Sequence, residues 1–290
     1  MIRPSSTAAR RGGAVLRVPV GPGSLHVEQF GPGNSPVLLV HGFGTSTFLW
    51  REVAPLLTAR NRTAMAVDLL GYGESDRPAG AKYGIAAQSS YLDLMLDSLR
   101  VLRATVVGVD LGGAIALHLA ATHPDRVKRL LLINPIALNE IPGGDIKRMK
   151  LNTARNALRL SRGVLGAATL LKPLLRGGVA RPEAMPDSLL ARYLAPYVGR
   201  EGLDHLLVLG RSVIPADMAD IPLDHLKQRT VIVWGERDPF LSPRLPDRLA
   251  AVLKGSRVIR LPAVARLVPE EAPEALATMI LEFAGGALHG

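Results

Sequence analysis

The stretch VVGVDLGGAIAL, residues 106–117, constrains this chain more than any other. An apolar β-branched run, Ala104–Val109, passes through Gly108-Val109-Asp110-Leu111-Gly112 into an Ala- and Leu-rich segment of helical character. A strand that turns into a helix within one residue, with glycine on both sides, holds the middle residue on a tight elbow. Its side chain then projects alone above a sheet. An aspartate acting only as a helix N-cap explains Asp110 but not both glycines. A carboxylate at such an elbow can attack an alkyl carbon, forming an ester, without first losing a proton. It is a poor nucleophile for acyl transfer, so ordinary esterase or peptidase chemistry is disfavoured.

The rest of the chain repeats the strand–helix rhythm. Strands are expected at Ala14–Val20, Leu25–Phe30, Pro36–His41, Thr63–Asp68, Ala104–Val109, Arg129–Ile133, Thr230–Trp234 and Arg257–Leu261, the first two as an antiparallel hairpin across GPGS. Helices are expected near Phe48–Arg60, Gly84–Leu102, Leu111–Thr122, Pro243–Leu253 and Glu270–Phe283. This alternation predicts an α/β fold: a mostly parallel eight-stranded sheet with helices on both faces. Residues 138–221 break the rhythm, with helical segments, Gly/Pro punctuation and no convincing strand. They are expected to form a helical cap inserted after the sixth strand. Its leucines 151, 158, 165, 189, 190 and 194 recur at helical spacing and need cover. The expected organisation is a basic N-terminal tail over 1–13, a core from 14–137 and 222–285, and the cap over 138–221. A cap above the carboxyl ends of a parallel sheet encloses a pocket where such sheets bind ligands.

Other strand ends supply candidate partners for Asp110. His41-Gly42 closes a buried strand, and the Phe43 N–H after it, with the Leu111 N–H, forms a candidate oxyanion hole. His41 reads as a loop-ordering residue with Gly42, not as a base. VIVWGERDPF places Asp238 just past another strand, beyond the insertion.

Together, His41-Gly42, the turn from Asp68 to Pro78, Gly108-x-Asp110-x-Gly112-Gly113, Gly235-x-x-Asp238 and the Glu270–Pro273 helix start resemble the α/β-hydrolase superfamily over about residues 14–285. With aspartate at the elbow, the chain looks like the epoxide hydrolase and haloalkane dehalogenase branch. That resemblance implies an Asp nucleophile, a late-strand Asp238 and a His after the last strand, which activates water to hydrolyse the alkyl ester. Here the position of that His is Arg266. A guanidinium has five donors, no acceptor and too high a pKa to serve as a base. Of the other histidines, only His205 lies in the cap. The halide-holding Trp positions of dehalogenases read Leu111 and Phe43; the chain's tryptophans, Trp50 and Trp234, lie outside the cap. Tyr193 and Tyr197 are the cap candidates for binding substrate, as tyrosines do in epoxide hydrolases, which favours epoxide-type chemistry.

The expected function is therefore an enzyme acting through Asp110, Asp238 and Arg266 on a hydrophobic small molecule, by atypical non-hydrolytic chemistry: cyclisation, rearrangement or epoxide opening. The alternatives are a true hydrolase with a surrogate base, or an inactive ligand-binding homologue. No cofactor or metal is expected. The chain has no Cys, which excludes disulfides and thiolate chemistry. Its net charge of +10 comes from dispersed arginines without any nucleic-acid motif, so no nucleic-acid partner is expected. The most apolar stretch, Ala104–Ala121, is interrupted by Asp110 and His118, so no membrane span is expected either. Without an apolar run behind the basic N-terminus, the expected location is the cytoplasm.

Overall fold

The computed structural model describes residues 13–32, 36–156 and 166–287. The N-terminal tail expected over 1–13, and with it Leu158 and Leu165 of the insertion, fall almost wholly outside these. Eight strands form one sheet: β1 (Ala14–Pro19), β2 (Ser24–Phe30), β3 (Val37–Val40), β4 (Ala64–Asp68), β5 (Ala104–Val109), β6 (Val127–Ile133), β7 (Arg229–Gly235) and β8 (Arg257–Leu261). Their spatial order is β1-β2-β4-β3-β5-β6-β7-β8. The first two strands pair antiparallel, as does β2 with β4, and every other pairing is parallel. The central strands β3, β4 and β5 are buried along their whole length. That is what near-continuous Val, Leu and Ala runs produce when helices cover both sheet faces. The edge strand β1 instead buries only Val15 and Val18 and leaves Ala14, Arg17 and Pro19 exposed.

On the flanks lie α1 (Val53–Thr58), α2 (Ile85–Ser98) and α3 (Leu111–Thr122). The first two expected helices come out differently. The one expected over Phe48–Arg60 splits into a 3-10 turn at Thr47–Trp50, capped by Ser46, and the short α1. The helix α2 stops at Ser98 rather than Leu102, because Arg100 takes a left-handed conformation with φ 55°. Ten of the residues of α3, from Leu111 to Ala120, are buried, as an Ala- and Leu-rich helix sandwiched behind a sheet must be.

Between β6 and β7 the chain is helical, with no strand among the described residues: α4 (Gly144–Arg155), α5 (Ala167–Gly177), α6 (Asp187–Leu194), α7 (Gly199–Ser212) and α8 (Ala216–Ala219). The leucines expected to need cover divide. Leu190 is buried and Leu189 and Leu194 pack on the core, but Leu151 is 50% exposed. The apolar face is carried instead by Leu170, Leu171, Leu174 and Leu175 of α5. After β7 come α9 (Leu245–Val252) and, past β8, α10 (Val268–Glu271) and α11 (Pro273–Gly285). The single helix expected over Glu270–Phe283 breaks at Ala272 (φ −146°, ψ 54°), since the residue before a proline is pushed out of the helical region. No described helix is long and apolar enough to cross a membrane.

Candidate active site

Asp110 stands between β5 and α3 with φ 53° and ψ −116°. A non-glycine residue held there carries strain of about 1–3 kcal/mol, which persists only where the surroundings over-determine it. They do. A Cβ on Gly108 would lie 2.3 Å from the Gly112 carbonyl oxygen, and one on Gly112 would lie 2.4 Å from the His41 carbonyl oxygen. The two glycines let β5, α3 and the β3 end close to backbone contact, and the turn that results aims Asp110 out of the sheet.

The Asp110 carboxylate is fully engaged. Its Oδ2 accepts the Phe43 N–H at 2.9 Å, and the Leu111 N–H favours its charged form. These are the two donors expected to form an oxyanion hole. Here they hold the aspartate itself. The Oδ1 accepts from Arg266 Nη1 at 2.9 Å, and both side chains are buried. Burial pushes the Asp110 pKa up, to about 6; the Arg266 charge opposes this, a neighbouring carboxylate on Asp145 adds to it, and the backbone donors pull it down. Desolvation therefore outweighs a direct guanidinium pair.

Arg266 makes a second buried pair, Nη2 to Asp145 Oδ2 at 2.9 Å, while the ring of Phe240 lies 4.6 Å from its guanidinium carbon. Burial works against its charge, but Asp110, Asp145 and Asp238 together hold it above the ordinary arginine range. Among the described residues its ion pairs go to Asp110 and Asp145 and none to Asp238. Asp238 turns instead to Asn134 Nδ2 at 3.1 Å and the Phe240 N–H at 2.8 Å. Burial raises its pKa and Arg266 lowers it. Asn134, at the end of β6, also accepts the Gly235 N–H and so ties β7 to the acid loop.

Two glutamates place the Arg266 loop. Glu271 accepts the N–H groups of Ala265, Ala180 and Arg181, at 2.7, 3.0 and 3.0 Å. One carboxylate thus fastens the residue before Arg266 to the inserted helices, and the Leu267 N–H adds a bond to the Gly178 carbonyl at 2.7 Å. Glu270 is buried against Arg51, with both guanidinium contacts at 2.6 Å, and accepts the Tyr193 hydroxyl. In the sequence both acids read as helix-start residues favoured by the dipole. Their structural work is to join the core to the insertion.

The remaining candidates are placed as follows. His41 bonds the Gly42 carbonyl through Nδ1 at 2.8 Å and accepts the Leu69 N–H on Nε2 at 3.1 Å. Its burial lowers its pKa to about 4, so it is a neutral ring joining two loops. Tyr193 and Tyr197, expected to reach substrate, line no part of the cavity beside Asp110. Tyr193 is committed to Glu270, and the Tyr197 hydroxyl is buried without a hydrogen-bond partner. His205 bonds the Gly71 carbonyl at 2.7 Å, packs edge-on to Tyr83 and does not line that cavity. The cavity has a volume of about 10 Å³, room for roughly one water. Gly42, Phe43, Thr45, Asp110, Asp145 and Arg266 border it, with Leu171, Leu174, Leu175 and Leu267 as its apolar wall. Asp145 was missed by sequence reasoning. An acid in the first turn of α4 is ordinary dipole pairing on paper, and only the folded chain brings it to Arg266.

A family model described as the alpha/beta hydrolase fold matches residues 35–273. Haloalkane dehalogenase 2 of Mycobacterium tuberculosis is 27% identical over 271 residues, covering 91% of this chain and 92% of that protein. A haloalkane dehalogenase of Mesorhizobium japonicum is 29% identical over 295 residues, covering 97% and 93%. Among solved structures, the epoxide hydrolase CorEH without ligand superposes with a TM-score of 0.80 at 19% identity, over 95% of this chain and 100% of that one, and so shares the fold.

Proposed function

The chain belongs to the α/β-hydrolase fold family, and on that premise we propose that it is an enzyme acting on a hydrophobic small molecule beneath a cap of the inserted helices, with Asp110 moving a proton and not completing a hydrolysis. The observation that carries this reading is the Arg266 Nη1–Asp110 Oδ1 contact at 2.9 Å. Each Asp110 oxygen already accepts a hydrogen bond, and Oδ1 is paired with a guanidinium, which draws electron density from the oxygen that would attack carbon. Hydrolysis of an ester intermediate needs a base for water, and the position at the end of the loop offers a permanent cation. Among the described residues no histidine lines the cavity. A carboxylic acid whose pKa is about 6, in contrast, exchanges a proton readily near neutrality, where general acid–base catalysis is most efficient. Arg266 and the Phe43 N–H then stabilise the carboxylate left after proton donation. Ring opening with rearrangement, or cyclisation, fits such a site.

The relatives carry dehalogenase names, which favours the second reading of a true hydrolase with a surrogate base. Reaction of hydrophobic epoxides in ¹⁸O-labelled water separates the two. The proton-transfer reading expects substrate to be consumed without solvent oxygen entering the product, and activity to be lost in Asp110→Asn. Stoichiometric ¹⁸O in a diol product supports the hydrolase and contradicts the proposal.

A further inference from the structure

Asp145 is the least satisfied member of the buried charge cluster. Its Oδ2 meets Arg266 Nη2, but its Oδ1 is buried and meets no protein donor. Asp145 is therefore tied to the protein through one oxygen, whereas both oxygens of Asp110 accept from protein donors. Asp145 also differs in origin. It is not part of the sheet core but the second residue of α4, just after Gly143, on which an added Cβ would lie 2.7 Å from Asp145 Oδ1. It stands beside Asp110 as a like charge and raises the Asp110 pKa. Around it the walls are apolar, with Leu171, Leu174, Leu175 and Leu267 facing the same small cavity.

We propose that the Arg266 edge paired with Asp145 is a carboxylate subsite, and that Asp145 fills it as an internal stand-in for the carboxylate of an apolar ligand. When such a ligand enters, its carboxylate takes the place of Asp145 on Nη2 and its chain lies against the leucines. Asp145 gives way by turning its side chain to another rotamer, and the space it vacates adds to a cavity with room for about one water. One carboxylate replaces another, so the charge balance around the guanidinium is unchanged. The selectivity follows from Arg geometry, since a fork of N–H donors prefers carboxylate to hydroxyl or ammonium. The gain in affinity comes from the chain, at roughly fourfold per methylene buried. This assignment rests on the capped-pocket reading above and names the substrate class for it: hydrophobic monocarboxylic acids.

Calorimetric titration with butanoate, hexanoate and octanoate tests it, with hexan-1-ol and hexylamine as controls. Hexanoate is expected to bind at least tenfold more tightly than either control, with affinity rising along the acid series. Asp145→Asn, which removes the charge of the internal competitor, is expected to tighten hexanoate binding at least tenfold, and Arg266→Gln to weaken it as much without weakening hexan-1-ol. Equal binding of hexanoate and hexan-1-ol by the unmodified protein overturns the proposal and needs no variant. Equal hexanoate affinity in a folded Arg266→Gln protein, or no binding to either the unmodified protein or Asp145→Asn, overturns it as well. The proton-transfer reading can fail separately: hexanoate binding that persists in Asp110→Asn, beside solvent oxygen in the product of the unmodified enzyme, rejects that reading and keeps this one.

Discussion

Arg266 Nη1 and Asp110 Oδ1 lie 2.9 Å apart, each side chain 4% exposed, with the Phe43 N–H on the other carboxylate oxygen. The elbow therefore presents an aspartate with a donor already on each carboxylate oxygen. Removing one member of such a buried pair leaves an uncompensated charge, at a cost of about 3–5 kcal/mol. The pair is a structural commitment as well as a chemical one.

That commitment has a pH signature. Burial raises the Asp110 pKa from 3.8 to about 6, so the folded state binds this proton more tightly than the unfolded chain does. Stability from this group is fully present below the ordinary aspartate pKa and is lost as pH rises through the raised folded-state value. Histidines and other acids titrate nearby, so the informative quantity is the stability of the unmodified protein minus that of Asp110→Asn. Urea unfolding between about pH 4 and 7 is expected to show this difference falling as pH rises and levelling above 6. A difference that rises over the same window contradicts the assignment.

Glu271 bonds three backbone N–H groups from two parts of the chain. Glu271→Ala leaves those donors without their acceptor and is expected to destabilise the protein by about 3–5 kcal/mol. Because the Ala265 N–H is one of them, the Arg266 loop loosens too. Urea unfolding measures the first effect, and a change of less than about 1 kcal/mol counts against the clamp.

Tyr193 donates to Glu270, which also pairs with Arg51. Tyr193→Phe is expected to lower stability by about 1.5–3 kcal/mol, the value of a hydrogen bond to a charged group. Turnover per folded molecule is expected to change less than about twofold. A loss of tenfold or more with unaltered stability returns Tyr193 to the substrate-binding role that its sequence position suggested.

The fold was legible because its signals are local. The inner strands β3, β5, β6 and β7 are short runs rich in Val, Leu and Ile, and Gly108 and Gly112 bracket Asp110 at the spacing the elbow needs. Arg266 was legible by its place between β8 and a helix start. What stayed hidden depends on contacts far apart in the chain. Asp145 looks like any first-turn acid until α4 folds back over the elbow, and Asn134 looks like an ordinary strand end until it meets Asp238. Tyr193 and Tyr197 sat in the right segment, but the helix that carries Tyr193 turns its hydroxyl to Glu270. Spacing along a helix says which residues share a face and not what that face meets.

Bromide released from 1-bromohexane, counted per protein molecule, reads directly whether Asp110, paired with Arg266, completes a hydrolytic cycle. General-base assistance is worth roughly 10²–10⁴-fold, so its absence turns any alkyl ester on Asp110 into a dead end. At most one equivalent of bromide is expected from the unmodified protein, with any added mass mapping to Asp110 by mass spectrometry, and repeated turnover once Arg266→His supplies a base. Many equivalents from the unmodified protein would mean that the hydrolytic cycle runs in spite of Arg266.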